Sequence, residues 1–148
     1  MIEIPSKFIR LEAFCREEVK EFCFPEKLKR QMKPSDKLIY FSLGTIGNID
    51  FELMKRILGI FSRTDHYYII SLGVHHEKLK PLLTDRMWGE RFLPQTKVLQ
   101  LDQVELAIIH GGNNSLCESW YFGKRVIILP LFYDQLDNGQ RLQVNNIS

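Results

Sequence analysis

From Lys37 onward, short continuous apolar runs alternate with stretches in which apolar residues recur every three or four positions. Leu38-Ile39-Tyr40-Phe41 is rich in strand formers and leads into the loop Ser42-Leu43-Gly44-Thr45-Ile46-Gly47. Asp50 is placed as a helix N-cap, and Phe51, Met54, Ile57, Leu58 and Phe61 then share one helical face. A second strand is expected over Tyr67–Leu72 and a helix over His76–Leu83. Arg91-Phe92-Leu93 is expected as a third short strand ended by Pro94, and Glu105–Ile109 as a fourth, closed by His110-Gly111-Gly112. A helix over Ser115–Phe122 leads to a fifth strand, Arg125–Leu129, stopped by Pro130, and Asn138–Val144 is expected as a last helix. Residues 1 to about 35 read differently: they are charge-dense and broken by Pro5, Pro25 and Pro34. Short amphipathic helices are expected there over Arg16–Glu21 and Glu26–Lys33. That stretch is expected to be a linker or edge segment, with the main domain over residues 36–148.

Continuous apolar strands alternating with helices point to an α/β class, a doubly wound parallel sheet covered on both faces. In such sheets ligands sit beyond the carboxyl ends of the strands, so the loops that follow them are where chemistry is expected. Composition narrows the partners. The chain has 148 residues, 45% hydrophobic and 26% charged, which fits one ordinary globular domain. A net charge of +2 argues for neither a nucleic-acid nor a membrane-surface partner. No apolar stretch approaches the roughly 20 residues of a membrane helix, so the chain as given reads as soluble. The three cysteines, Cys15, Cys23 and Cys117, show no CxxC or zinc-ligand spacing and are expected as reduced thiols, with a Cys15–Cys23 pairing left open. His66, His75, His76 and His110 also lack metal spacing, and no metal is expected.

The strongest constellation is Ile108-Ile109-His110-Gly111-Gly112-Asn113-Asn114-Ser115-Leu116-Cys117-Glu118. A buried strand ends, two glycines let the backbone turn, and a helix begins at once. Unpaired N–H groups at that helix start carry the positive end of the helix dipole and suit a diphosphate. Asn114, Ser115 and His110 would add side-chain donors, and Glu118 lies one turn on, where a carboxylate could accept from ribose hydroxyls. Ser115-Leu116-Cys117-Glu118 is equally a capping box, S-x-x-E, which would only close the helix terminus. The glycines do not form GxGxxG, so a Rossmann dinucleotide fingerprint is absent. Asn113-Asn114-Ser115 and Asn146-Ile147-Ser148 are formal glycosylation sequons, the first of which is read as accidental because a glycan would fill the proposed phosphate loop.

Taken together, Phe92-Leu93-Pro94-Gln95, His110-Gly111-Gly112 with Asn114-Ser115 and Glu118, and Pro130-Leu131-Phe132-Tyr133-Asp134-Gln135 resemble, in order and spacing, the signature of the UDP-glycosyltransferases. Ser42-Leu43-Gly44-Thr45 after the first strand is similar to that family as well, and the resemblance spans roughly residues 36 to 144. It implies the C-terminal, UDP-sugar-binding half of a two-domain GT-B enzyme with a Rossmann-like sheet, transferring a hexose or hexuronic acid to a small lipophilic acceptor. By resemblance, Phe92 stacks on uracil and Gln95 contacts ribose or base. His110, Asn114 and Ser115 hold the diphosphate, with Gly112 allowing close approach. Glu118 takes the ribose hydroxyls, and Asp134 and Gln135 orient the sugar. Ser42, Gly44 and Thr45 would lie near the phosphates. UDP-sugar would be a co-substrate, with no cofactor and no metal.

The family has Trp where Phe92 stands. Its catalytic base, a His oriented by an Asp, belongs to an N-terminal acceptor domain that 35 residues cannot form, so no base is expected in this chain. The chain also stops soon after Asp134-Gln135, where family members continue. It is therefore expected to be a fragment, a truncated product or a subunit whose acceptor side comes from another chain. A separate donor subunit with a partner acceptor chain, or a non-catalytic nucleotide-sugar-binding module, are the alternatives. Location stays open, with the endoplasmic reticulum implied if the parent is a membrane-anchored animal-type member. Elsewhere, His66, His75 and His76 are expected on the surface, and Trp88 and Trp120 in packing roles.

Overall fold

A computed structural model describes Cys15 and residues 21–144. The helix expected over Arg16–Glu21 lies outside the described residues, Glu21 apart. The described chain runs α1 (Glu26–Gln31), β1 (Leu38–Ser42), α2 (Gly44–Gly47), α3 (Phe51–Phe61), β2 (Tyr67–Ser71), α4 (His76–Leu79), β3 (Met87–Glu90), α5 (Gln95–Leu99), β4 (Val104–Ile109), α6 (Asn113–Tyr121), β5 (Arg125–Ile128) and α7 (Gln135–Val144). The five strands form one sheet in the order β3-β2-β1-β4-β5. Every pairing is parallel, with Tyr40 opposite Ile69 on one side and Ala107 on the other.

Alternation along each strand sorts the side chains into two cores. On one face Phe41, Tyr68, Ile70, Met87 and Ile108 meet Met54, Ile57, Leu58 and Phe61, the apolar stripe of α3. Asp50 starts that helix as predicted: its side chain accepts from the Leu53 N–H at 2.9 Å. On the other face Leu38, Tyr40, Ile69, Ala107 and Ile109 pack against Val98 and Leu99 of α5, Leu116 of α6 and Leu28 of α1. Both faces are covered, which is the Rossmann-like doubly wound α/β arrangement the alternating pattern implied. The amino-terminal segment thus contributes to the second core, because Leu28 is fully buried.

Several expectations are corrected. The third strand is Met87–Glu90, and Arg91-Phe92-Leu93 is loop. Gly89 hides the strand from a hydrophobicity reading, yet that position has room only for glycine: a Cβ there would stand 2.9 Å from the Ile70 carbonyl oxygen. The helix expected over His76–Leu83 is broken into α4 between two 3-10 turns, Gly73–His75 and Lys80–Leu82. Pro81, lacking an N–H, interrupts the α-helical ladder. The loop after β1 contains a one-turn helix, α2, and α5 follows Pro94 where no helix was expected. Among the flanking residues, His75 and His76 are half-buried rather than exposed, the former with Nε2 2.8 Å from the Ile49 carbonyl oxygen. Trp88 packs on the second core with Phe22, whereas Trp120 is exposed on the outer side of α6. Strand order reverses direction between β1 and β4, so the loops after these two strands open side by side at the carboxyl edge of the sheet.

Candidate functional site

The loop after β4 turns at Gly111, whose φ of +88° lies in the left-handed region. A Cβ at that position would come 2.6 Å from Ile128 Cγ2, so the close pass against β5 also requires glycine. Gly112 then serves as the N-cap of α6 in extended conformation, with no side chain capping the helix. Ser115 sits inside the first turn, too late to cap. The S-x-x-E capping box therefore does not form. The Gln95 amide nitrogen instead donates to Ser115 Oγ at 3.3 Å and to a Glu118 carboxylate oxygen. The helix start is left with uncapped N–H groups facing the carboxyl edge of the sheet, the arrangement that favours an anion.

His110 stands between the two glycine loops. Gly44, with φ of +70°, passes so close that a Cβ there would lie 2.6 Å from His110 Cε1. A Cβ on Gly112 would lie 2.5 Å from Nε2. The imidazole is thus gripped between two α-carbons. Burial pulls its pKa below the ordinary value near 6.5, against opposing pulls from the Asp134 carboxylate and the Ser42 backbone. The ring is accordingly neutral at pH 7. Among the described residues its Nδ1 is buried with no partner at hydrogen-bond geometry.

Two clefts meet at this ring. The first, about 410 Å³, is lined by Phe92, Leu93 and Gln95 of the loop after β3 and the start of α5, and by Ser42, Gly44 and Thr45 at the end of β1 and just after it. His110, Asn114, Ser115 and Glu118 of the β4–α6 turn line it as well. Phe92 is 59% exposed and so is not part of either core, and the Arg91 guanidinium lies 5.6 Å from its ring centroid. Both polar ends of Gln95 are engaged, since its Oε1 accepts from the Tyr40 hydroxyl at 3.0 Å. The second cleft, about 390 Å³, shares Thr45, His110, Asn114 and Ser115 and adds Gly112, Phe132, Tyr133, Asp134 and Gln135. Asp134 is exposed and accepts from Asn138 Nδ2 at 3.1 Å. Gln135 is 4% exposed, and its Oε1 accepts from the Leu131 and Phe132 N–H groups, tying the loop that carries Asp134. Tyr133 holds φ of +55°, a strained setting for a residue with a Cβ.

The residues singled out in the sequence therefore divide between two adjoining clefts, Gly112, Asp134 and Gln135 falling only in the second. Tyr40, Asn48 and Ser71 also line the first cleft and were missed. Tyr40 and Ser71 stand near the carboxyl ends of β1 and β2, and that position was their only signal. Among the described residues no group of three or more His, Cys, Asp or Glu side chains is placed to hold a metal ion. None of the described helices is long and apolar enough to cross a membrane.

Comparison with known proteins adds a second line of observation. A family profile described as UDP-glucoronosyl and UDP-glucosyl transferase matches residues 24–146. The candidate UDP-glucuronosyltransferase ugt-60 of Caenorhabditis elegans is 32% identical over 114 residues, 75% of this chain and 22% of the relative. The chain spans about a quarter or less of the length of the curated relatives it matches. Among solved structures, the glycotransferase of kitacinnamycin superposes with a TM-score of 0.72 at 20% identity, covering 95% of this chain and 34% of that one. A ugt transferase from Siraitia grosvenorii, solved in complex with UDP, gives 0.67 at 19% identity over 80% and 32%. These likenesses place the sheet and its helices in a GT-B glycosyltransferase fold. With the profile covering nearly all of the described residues, the chain belongs to the UDP-glucoronosyl and UDP-glucosyl transferase family.

Proposed function

We propose that this chain is the donor-binding domain of a UDP-glycosyltransferase, which moves a hexose or hexuronic acid from UDP-sugar to a small lipophilic acceptor. The observation that carries the reading is the first cleft, where an exposed aromatic, a carboxylate held by an amide and an uncapped helix N-terminus line one space. Phe92 offers its ring to the flat base, and Glu118 accepts from ribose hydroxyls. The α6 N-terminus, Asn114, Ser115 and His110 face the diphosphate, with Ser42, Gly44 and Thr45 closing its other side. The sugar extends into the second cleft toward Asp134. As the sugar–phosphate bond breaks, negative charge grows on the departing UDP, and these preoriented donors stabilise it. An acceptor hydroxyl attacks the anomeric carbon, and its proton passes to a base outside the described residues.

A second reading, a donor subunit working with a separate acceptor chain, is favoured by one feature. Ile46 and Tyr133, which line the second cleft, are 58% and 82% exposed, an apolar rim suited to a covering partner. The deciding experiment is calorimetric titration with UDP, UDP-glucose and AMP as control. Saturable uridine-selective binding is expected, and no binding by the folded protein overturns the reading. Glu118→Ala should weaken UDP binding by about 1–3 kcal/mol while leaving AMP, the control, unbound in both proteins.

A further inference from the structure

Tyr40 is only 1% exposed and packs in the second core, yet it also lines the first cleft. Its hydroxyl lies 3.0 Å from Gln95 Oε1, and the opposite end of that amide reaches Ser115 and Glu118. The direction of every bond follows from one of them. A carboxylate only accepts, so the amide must turn its nitrogen toward Glu118. The amide oxygen then faces Tyr40, and the phenol must donate. Ser115 Oγ accepts from the same nitrogen, which leaves its own hydrogen to serve the cleft. Burial above all pushes the Tyr40 phenol well above its ordinary range, so it keeps its proton and goes on donating.

We infer that Tyr40 is a positioning residue: its buried hydroxyl, acting through the Gln95 amide, sets Glu118 to receive ribose hydroxyls and Ser115 to donate to phosphate oxygens. The inference rests on the nucleoside-diphosphate reading above and names what orients that site. Without the hydroxyl the amide loses its anchor at Oε1, and its nitrogen is held by the same two groups it positions, Ser115 and Glu118. Phenylalanine at the same position retains the ring and its packing.

The test is titration of the wild-type protein and Tyr40→Phe with UDP and with 2′-deoxy-UDP, alongside melting temperatures. The wild-type protein is expected to prefer UDP. Tyr40→Phe is expected to bind UDP about tenfold more weakly, with its preference for UDP over the deoxy analogue collapsing toward unity. A core role alone would shift melting temperature and leave that ratio intact, so a wild-type ratio in the variant overturns the inference and spares the nucleotide reading. A wild-type protein that binds both nucleotides equally also overturns it, and one that binds neither overturns both. Should Tyr40→Phe not fold, Gln95→Met removes the amide through which the hydroxyl acts, and an unchanged ratio in that variant overturns the inference.

Discussion

Phe92 and His110 line the same cleft, but only Phe92 can be truncated with little effect on packing. Phe92 is exposed at the cleft mouth, so Phe92→Ala should cost about 1–3 kcal/mol of UDP affinity and little melting temperature. Binding of glucose 1-phosphate, which has no base, should change little. An equal loss for both ligands in parallel titrations would discredit stacking. His110 contributes to the response to acid. Burial holds its folded-state pKa below the unfolded value near 6.5, so the unfolded chain binds the extra proton first. Stability from this group is therefore complete above pH 6.5 and falls as pH drops from there toward the lowered folded value. Melting temperature should decline over that window, and His110→Gln should flatten the decline. A diphosphate beside the ring favours its protonated form, so the same acidification should tighten UDP binding until the nucleotide itself takes up a proton.

At the scale of elements, the loops that open α2 and α6 act as the two jaws of a clamp on the imidazole. Because a Cβ on either glycine would collide with the ring, His110 cannot retreat from one jaw without striking the other. Gly112→Ala, whose backbone is ordinary extended chain, should therefore overpack the site by about 1–3 kcal/mol. Thermal denaturation would read that loss, and a parallel drop in UDP affinity would show that the ring had moved. The elements differ in how plainly the sequence announces them. β1, β2 and the part of β4 after Glu105 are nearly continuous apolar runs because helices cover both their faces, and α3 carries its cap and its apolar stripe together. β3 is an outer strand only four residues long, with a glycine in its middle, and gives almost no periodic signal. α5 is five residues long and follows a proline, so its helical character is fixed by packing of Val98 and Leu99 rather than by local pattern. The glycine loops of the site were legible for a related reason: turns that tight admit few residue types. The Tyr40–Gln95 link was not, since it joins residues far apart in sequence that meet only when β1 and α5 pack together.

For the whole molecule, the second core extends past the boundary drawn at residue 35. Leu28 is fully buried beneath the sheet, so Leu28→Ala should destabilise the fold by about 2–5 kcal/mol, measurable by urea denaturation. The site would feel this only through the sheet, and UDP affinity of the folded fraction should hold. Central placement of β1 has a further consequence, for the order in which the protein can be made. Leu38 pairs with Tyr67 on one side and with Val104 on the other, so β1 and β2 emerge long before the strand that completes the middle of the sheet. Through much of synthesis this strand, buried at four of its five positions in the finished fold, is an open edge, able to recruit a strand from another nascent chain. Pairings so distant in sequence also form slowly. The same reversal of strand order that brings the two glycine loops together thus delays the cleft until β4 arrives, and a chaperone that shields β1 until then would raise the yield of folded protein.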